Sequence, residues 1–334
     1  MLLRVHYTLL SGSVAYVAYE EGMHAMRQKI ILDCDPGHDD AVAILLAARH
    51  PALELLAITT VAGNQSVEKT SLNALKVCSL AHIDVPVAQG MKRPLLRPAR
   101  HAGDIHGSSG MDGPDMPKPS RMLLSQHAVD VIIELLLQSD GDIILVATGP
   151  LTNLAVAIRR EPAILPKIQA ISLMGGAISV GNVTASAEFN IWADPEAAAI
   201  VFACGRPITM VPLEVTHQAL ATEEIIQRLL ALKRVVPNFV VDLLRYFAES
   251  YRQVFGFSAP PIHDPCAVAA VIEPNIILSR KLHVAIETSG QWTDGRTVCD
   301  LYAKSGLAAN VRVGYALEVE RFWQMMIQIL QLYD

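Results

Sequence analysis

An α/β fold is predicted: a single domain with a mostly parallel, Rossmann-like central sheet flanked by helices and an active site at the strand carboxyl ends. Three observations predict it. From Lys29 onward, short β-branched or aliphatic runs alternate with longer helical patterns, the order of a parallel sheet covered on both faces. No internal repeat and no linker divides the chain. A group of aspartates follows the first apolar run directly, at the strand end where open α/β sheets carry their ligands.

The elements follow in order. KIIL (29–32), LLAITTV (55–61), DIILVA (142–147), AISLM (170–174) and PITMV (207–211) read as buried strands. Between them, residues 41–50, 67–81, 151–160 and 195–204 carry helical patterns. The stretch from Arg93 to Ser125 is rich in Pro, Gly, Ser and His and has no periodicity, so it is read as a functional loop or a lid. Residues 219–260 are helical again and end in aromatics, strands return at 283–287 and 312–319, and a helix at 320–332 closes the chain. The domain is expected over 29–334. Residues 1–28 are read as a disordered extension, with Met26 as an alternative start and no signal peptide expected, because His6, Ser11, Gly12 and Ser13 interrupt the apolar middle.

Composition narrows the class. Hydrophobic residues make up 51% and charged residues 18% of 334, which is globular rather than disordered. A net charge of −6 offers no basic footprint for a nucleic-acid polymer. No stretch approaches the ~18 uninterrupted apolar residues of a membrane span. The five cysteines are odd in number and lack CxxC spacing, so they are read as reduced, buried residues of a cytoplasmic protein.

The chemistry concentrates in KIILDCDPGHDDA at 29–41, where Asp33, Asp35, Asp39 and Asp40 fall within eight positions. Capping of a helix that starts near Ala41 accounts for one of them, Asp39. Pro36 and Gly37 force a turn that can fold Asp35 and Asp40 towards a common point, and converging carboxylates with no nearby Lys or Arg call for a hard cation. All-oxygen ligation suggests Ca²⁺ or Mg²⁺, since no Cys or His cluster has zinc spacing. HDPCAV (263–268) offers a second carboxylate, Asp264, which taken alone reads as a helix cap. In GNVTASAEFNIWADPEA (181–197), Asn182, Glu188 and Asn190 suit hydroxyl recognition. TGPLTN (148–153) lacks the lysine and glycine spacing of a phosphate loop.

Taken in order, DCDPGHDDA, ITTVAGNQ, DIHGSSGMDGP, VATGPLTN, LMGG, GNVTASAEFNIWADPEA, LEVTHQALAT and IHDPCAV resemble a nucleoside hydrolase of the inosine-uridine-preferring family, from residue 29 to the C-terminus. His263 in IHDP resembles the pyrimidine-specific or non-specific branch. The resemblance implies a Ca²⁺ cofactor held by Asp35, Asp40, Asp264 and the main-chain oxygen of Thr148. Asp264 also borders the substrate, and Asp33 organises the cluster from behind. The resemblance further places Asp39 on the ribose 2′-hydroxyl and Asn64, Asn182, Glu188 and Asn190 around the sugar. Met174 and Phe189 would form the wall, and His106 and Tyr251 would border the base.

The implied reaction is hydrolysis of the N-glycosidic bond of uridine, cytidine or inosine to free base and ribose. Asp35 acts as general base to a Ca²⁺-bound water, and His263 donates or relays a proton to the leaving base because it titrates near neutrality. His38 is expected to be a spectator, and His101 and His127 to be surface residues. A dimer or tetramer is implied. Two other readings stand beside this one: an Mg²⁺-dependent aspartyl phosphotransferase using Asp33 and Asp35, and a catalytically silent Ca²⁺-dependent nucleoside-binding protein.

Overall fold

The computed structural model describes residues 27–334; the expectation for the N-terminal extension therefore lies almost wholly outside the described residues. Eight strands form the central sheet. They are β1 (Gln28–Cys34), β2 (Leu53–Thr60), β3 (Val87–Gln89), β4 (Ile143–Ala147), β5 (Ile168–Met174), β6 (Ile208–Val211), β7 (Ile277–Leu282) and β10 (Val311–Leu317). Their spatial order is β3-β2-β1-β4-β5-β6-β10-β7, parallel throughout except for β7, which runs antiparallel to β10. Strands β8 (Val284–Ile286) and β9 (Thr297–Cys299) pair separately. The expected strand at 283–287 thus exists but belongs to this small ladder, outside the central sheet.

Strand β1 shows why this sequence makes a buried central strand. Ile30 and Leu32 pack on one side and Ile31 on the other, as the period of two requires, and all three have no exposed surface. Burial of each such side chain contributes about 1.5–3 kcal/mol. On the side of Ile30 and Leu32 lie helices α1 (His38–Arg49), α2 (Val67–Leu80), α9 (Glu223–Leu230), α10 (Val235–Phe255), α11 (Asp264–Ile272) and α12 (Val319–Leu330). On the other side lie α4 (Ala128–Gln138), α5 (Thr152–Arg160) and α7 (Pro195–Phe202). Short helices α3 (Gly103–His106), α6 (Phe189–Ala193) and α8 (Leu213–Thr216) sit in the connections beyond strand ends.

Three differences from the sequence expectation have physical causes. Helix α1 starts at His38, not near Ala41, with Gly37 at the N-cap, so Asp39 does not cap it. Instead the Gly37 N–H donates to Asp40 Oδ2 at 3.0 Å, the returning half of a capping box. The helical stretch at 219–260 breaks into α9 and α10, between which Lys233 takes a positive φ of 54°. Strands β3, β7 and β9 and helix α4 were not assigned from sequence. ILSRKL in β7 alternates poorly because it is an edge strand with exposed Arg280 and Lys281. The stretch from 93 to 125 is irregular as expected, with the single turn α3 inside it.

Candidate active site

The chain reverses its direction of winding at β1: β2 lies on one side and β4 on the other. This switch point leaves a crevice beyond the carboxyl ends of β1 and β4. The turn after β1 delivers Asp35, Asp39 and Asp40 there, and the turn after β4 delivers Thr148. Asp35 Oδ2 accepts the Asn64 N–H at 2.6 Å, and Asn64 Nδ2 reaches Asp40 Oδ2 at 3.2 Å. Thr148 Oγ1 donates to Asp40 Oδ1 at 2.8 Å. Gly63 and Gly149 are required by closeness: a Cβ on Gly149 would stand 2.6 Å from Asp35 Oδ1, and one on Gly63 would collide with Asp35 Oδ2.

Helix α11 packs against α1 and brings the fourth acid, Asp264. Its carboxylate caps nothing; Asp39, Asp40 and Asp264 offer oxygens that all lie within 4.8 Å of one another. This trio differs from the expected ligand set by containing Asp39 and leaving out Asp35. Asp35 nevertheless carries a buried Oδ1 with no hydrogen-bond partner. Asp33 is turned into the sheet, where Oδ1 accepts from Thr59 Oγ1 at 2.5 Å and Asn153 Nδ2 at 2.8 Å.

The electrostatics fit a cation. Burial first, and neighbouring carboxylates second, hold Asp35 and Asp264 well above the usual carboxylate range and push Asp39 up to about 7. Among the described residues, no Lys or Arg forms an ion pair with any of the four acids. Ionised together they would repel at close range in a medium that screens poorly. An orphaned Asp35 oxygen and an all-oxygen donor set are what a hard metal ion would satisfy, so the cluster could bind a metal.

Above the acids lies a cavity of about 270 Å³, the scale of a small-molecule site. Every expected substrate-binding residue lines it: Asp39, Asn64, His106, Met174, Asn182, Glu188, Phe189, Asn190, Tyr251 and Asp264, joined by Thr148 and His263. Asp35 and Asp40 lie beneath this lining with no exposed surface. On the α6 side, Glu188 caps the helix by accepting the N–H groups of Asn190 (2.9 Å) and Ile191 (3.3 Å), and it also accepts that of Gly176 (2.8 Å). Asn190 Nδ2 donates to Thr148 O at 2.8 Å and Met174 O at 3.1 Å, tying this wall to the β4 and β5 ends. Asn182 Oδ1 accepts the Phe189 N–H at 3.0 Å.

The opposite wall is aromatic. Tyr251 of α10 places its hydroxyl 2.6 Å from His263 Nε2, and Thr216 Oγ1 lies 2.7 Å from His263 Nδ1. The His263 main-chain N–H donates to Asp39 Oδ2 at 3.1 Å. Burial pushes the His263 pKa down to about 3, so the expectation that it titrates near neutrality is corrected: the ring is neutral and engaged at both nitrogens. His38 packs inside this wall. It is buried, stacks on Tyr246 and Phe247 at centroid distances of 5.1 and 5.3 Å, and meets His106 nitrogen to nitrogen at 3.1 Å.

Sequence reasoning also missed Thr216, Phe247, Trp192 and Arg100. Thr216 stands in the quoted LEVTHQALAT; Phe247 lies in the stretch expected to be helical and aromatic. Arg100 lines the cavity with its guanidinium 3.8 Å from the Trp192 ring centroid, a pairing of distant residues that carries no sequence signal. His101 is exposed as expected, yet its Nδ1 reaches Gly63 O at 3.0 Å. His127 is half-buried and caps α4, accepting the Val129 N–H. Cys204 and Cys299 are half-buried rather than buried, and all five cysteines are unpaired.

Comparisons with known proteins converge on one chemistry. A family model described as inosine-uridine preferring nucleoside hydrolase matches residues 30–324. The pyrimidine-specific ribonucleoside hydrolase RihB of Escherichia coli (strain K12) is 44% identical over 307 residues, which is 92% of this chain and 98% of that protein. A solved purine-preferring ribonucleoside hydrolase from Gardnerella vaginalis superposes with a TM-score of 0.85 at 32% identity, covering 91% of this chain and 98% of that one. A plant nucleoside hydrolase, PpNRh1, gives a TM-score of 0.85 at 30% identity over 91% and 99% of the two chains. With its acidic crevice at the β1–β4 switch point and these likenesses over nearly its whole described length, the chain belongs to the inosine-uridine preferring nucleoside hydrolase family.

Proposed function

We propose that this protein hydrolyses the N-glycosidic bond of ribonucleosides of the uridine, cytidine and inosine class, releasing free base and ribose. The observation that carries this reading is one cavity with two unlike ends. Carboxylates crowd its floor, and a Tyr251–His263–Thr216 chain stands on its wall. A ribosidic bond breaks through an oxocarbenium-like sugar, which negative charge below and a proton donor beside the base both favour.

Asp35, Asp40, Asp264 and the main-chain oxygen of Thr148 would hold Ca²⁺, which when bound would neutralise the acids, chelate the sugar diol and make a water more acidic. Asp35 accepts the proton of the water that attacks C1′. Asp39 accepts from the 2′-hydroxyl, and Asn64, Asn182, Glu188 and Asn190 orient the sugar, with Met174 and Phe189 closing the wall. Tyr251 passes its hydroxyl proton towards the departing base. His263, neutral and bonded at both nitrogens, supports the phenolate left on Tyr251 by donating from Nε2 while Nδ1 accepts from Thr216, and Tyr251 regains its proton from water once the base has left. The 44% identity to a pyrimidine-specific relative supports a pyrimidine leaning, and the unpaired cysteines support a reducing, cytoplasmic setting.

The phosphotransferase reading loses ground, because Asp33 is turned into the sheet with Oδ1 held by Thr59 and Asn153. The test is release of free base from uridine, cytidine and inosine with Ca²⁺ present. Uridine is expected to turn over at least ~100-fold faster than 2′-deoxyuridine, since the deoxy sugar leaves a buried acceptor unpaired. Tight nucleoside binding without base release would instead leave a silent binding protein.

A further inference from the structure

The aromatic wall holds two histidines whose pairing the reaction above does not use. His38 Nδ1 lies 3.1 Å from His106 Nδ1, and His38 Nε2 lies 2.8 Å from the main-chain oxygen of Asp112. A carbonyl oxygen only accepts, so the hydrogen of His38 sits on Nε2. The ring is 1% exposed and stacked on aromatics, where a charged imidazolium would go unsolvated. Neutral His38 therefore turns a lone pair towards His106, and the 3.1 Å contact needs its hydrogen on His106 Nδ1. The reverse arrangement would let the His38 main-chain N–H, 3.4 Å away, donate to His106 Nδ1, but it would set two acceptors face to face at 2.8 Å.

With hydrogen on Nδ1, His106 presents a bare Nε2. Its side-chain bonds among the described residues all fall on Nδ1, which leaves Nε2 to the cavity that the ring lines. We infer that His38 is a positioning residue that holds His106 in the Nδ1–H form, so that His106 accepts a hydrogen bond from an N–H of the nucleobase and does not protonate it. The inference rests on reading the cavity as a nucleoside site. It makes His106 a specificity element for bases with an N–H on the edge, as at N3 of uracil, and it leaves proton delivery to Tyr251. A base without that hydrogen strands a buried acceptor, which is where polar sites discriminate hardest.

The experiment combines ¹⁵N-histidine NMR with kinetics on the full chain and two variants. His38→Phe keeps an aromatic ring but offers no acceptor; His38→Asn places Oδ1 near the position of Nδ1. In the native protein and His38→Asn, His106 is expected to show a protonated Nδ1 and bare Nε2; in His38→Phe it shifts to the Nε2–H form. A native His106 protonated at Nε2 overturns the inference whatever the activity. Uridine should be preferred over N3-methyluridine by at least ~10-fold, about one hydrogen bond, chiefly in KM. His38→Phe should lose most of that preference and His38→Asn should keep it. Equal use of the two substrates by the native enzyme, or an undiminished preference in His38→Phe, would refute it. Absence of base release from every ribonucleoside would instead count against the proposed reaction, while the NMR result would still decide the tautomer.

Discussion

Asp35 carries the heaviest demand of any single residue. It is fully buried, one oxygen is held by the Asn64 N–H at 2.6 Å and the other has no hydrogen-bond partner. A carboxylate so placed is held well above its ordinary pKa by burial and by Asp40, and a cation or a proton must offset it. Asp35→Asn keeps the shape and the acceptor for Asn64 but removes the base. The expected result is a fall in kcat of about 10³-fold, the scale of general-base catalysis, with the fold retained by circular dichroism. Retention of most of the activity in steady-state assays would remove Asp35 from that role. His263 teaches the same dependence on setting: as a free side chain it titrates near neutrality, whereas in this wall it is neutral with a pKa of about 3.

At the level of elements, the site depends on how closely three turns approach one another. The β1 turn carries Asp35, the β2 turn carries Gly63 and Asn64, and the β4 turn carries Thr148 and Gly149. The glycines are there because Asp35 occupies the space a methyl group would need. Gly149 requires no positive φ, so Gly149→Ala isolates this crowding from backbone strain. The Cβ, 2.6 Å from Asp35 Oδ1 where real contacts begin well beyond 3 Å, should displace the carboxylate. A loss of about 100-fold in kcat/KM is expected, the cost of misplacing a reacting group by about 1 Å. Activity within a few-fold of the parent would show that Asp35 tolerates the shift. The capping bond from Gly37 to Asp40 and the packing of α11 on α1 then set the remaining acids around the same point.

Across the whole molecule, the clustered acids couple folding to pH and to metal. Burial raises Asp35, Asp40 and Asp264 and brings Asp39 to about 7, whereas an unfolded aspartate titrates at about 3.9. The folded chain holds these protons more tightly, so their contribution to stability is full below the unfolded value and is lost as pH rises through the folded values. In chelator, the melting midpoint is therefore expected to fall between pH ~6.5 and pH ~8, above the range in which buried neutral histidines such as His263 act in the opposite direction. Added Ca²⁺ should raise it more at pH ~8, where its ligands are free of protons. Calorimetry or thermal fluorescence checks both slopes; a chelated protein that gains stability towards pH ~8 would contradict this account of the cluster.

Much of this was legible before any coordinates. Alternation of strand and helix patterns set the fold class, because buried parallel strands need continuous aliphatic runs and their crossovers need amphipathic helices. Asp35, Asp39 and Asp40 could be chosen because the short turn after the first strand keeps them close in the chain, whereas Asn64 came only with the family resemblance. Local patterns are silent on what meets across the fold. The pairing of His38 with His106, the Thr216 hydroxyl on His263 and the stacking of Phe247 join segments tens to hundreds of residues apart, and no spacing rule records them. Protonation states belong to the same class, since a pKa follows from burial and neighbours, which exist only once the chain has folded. Residue identity chose the chemistry that is possible here; tertiary packing decided which nitrogen carries the hydrogen and which acid stands alone.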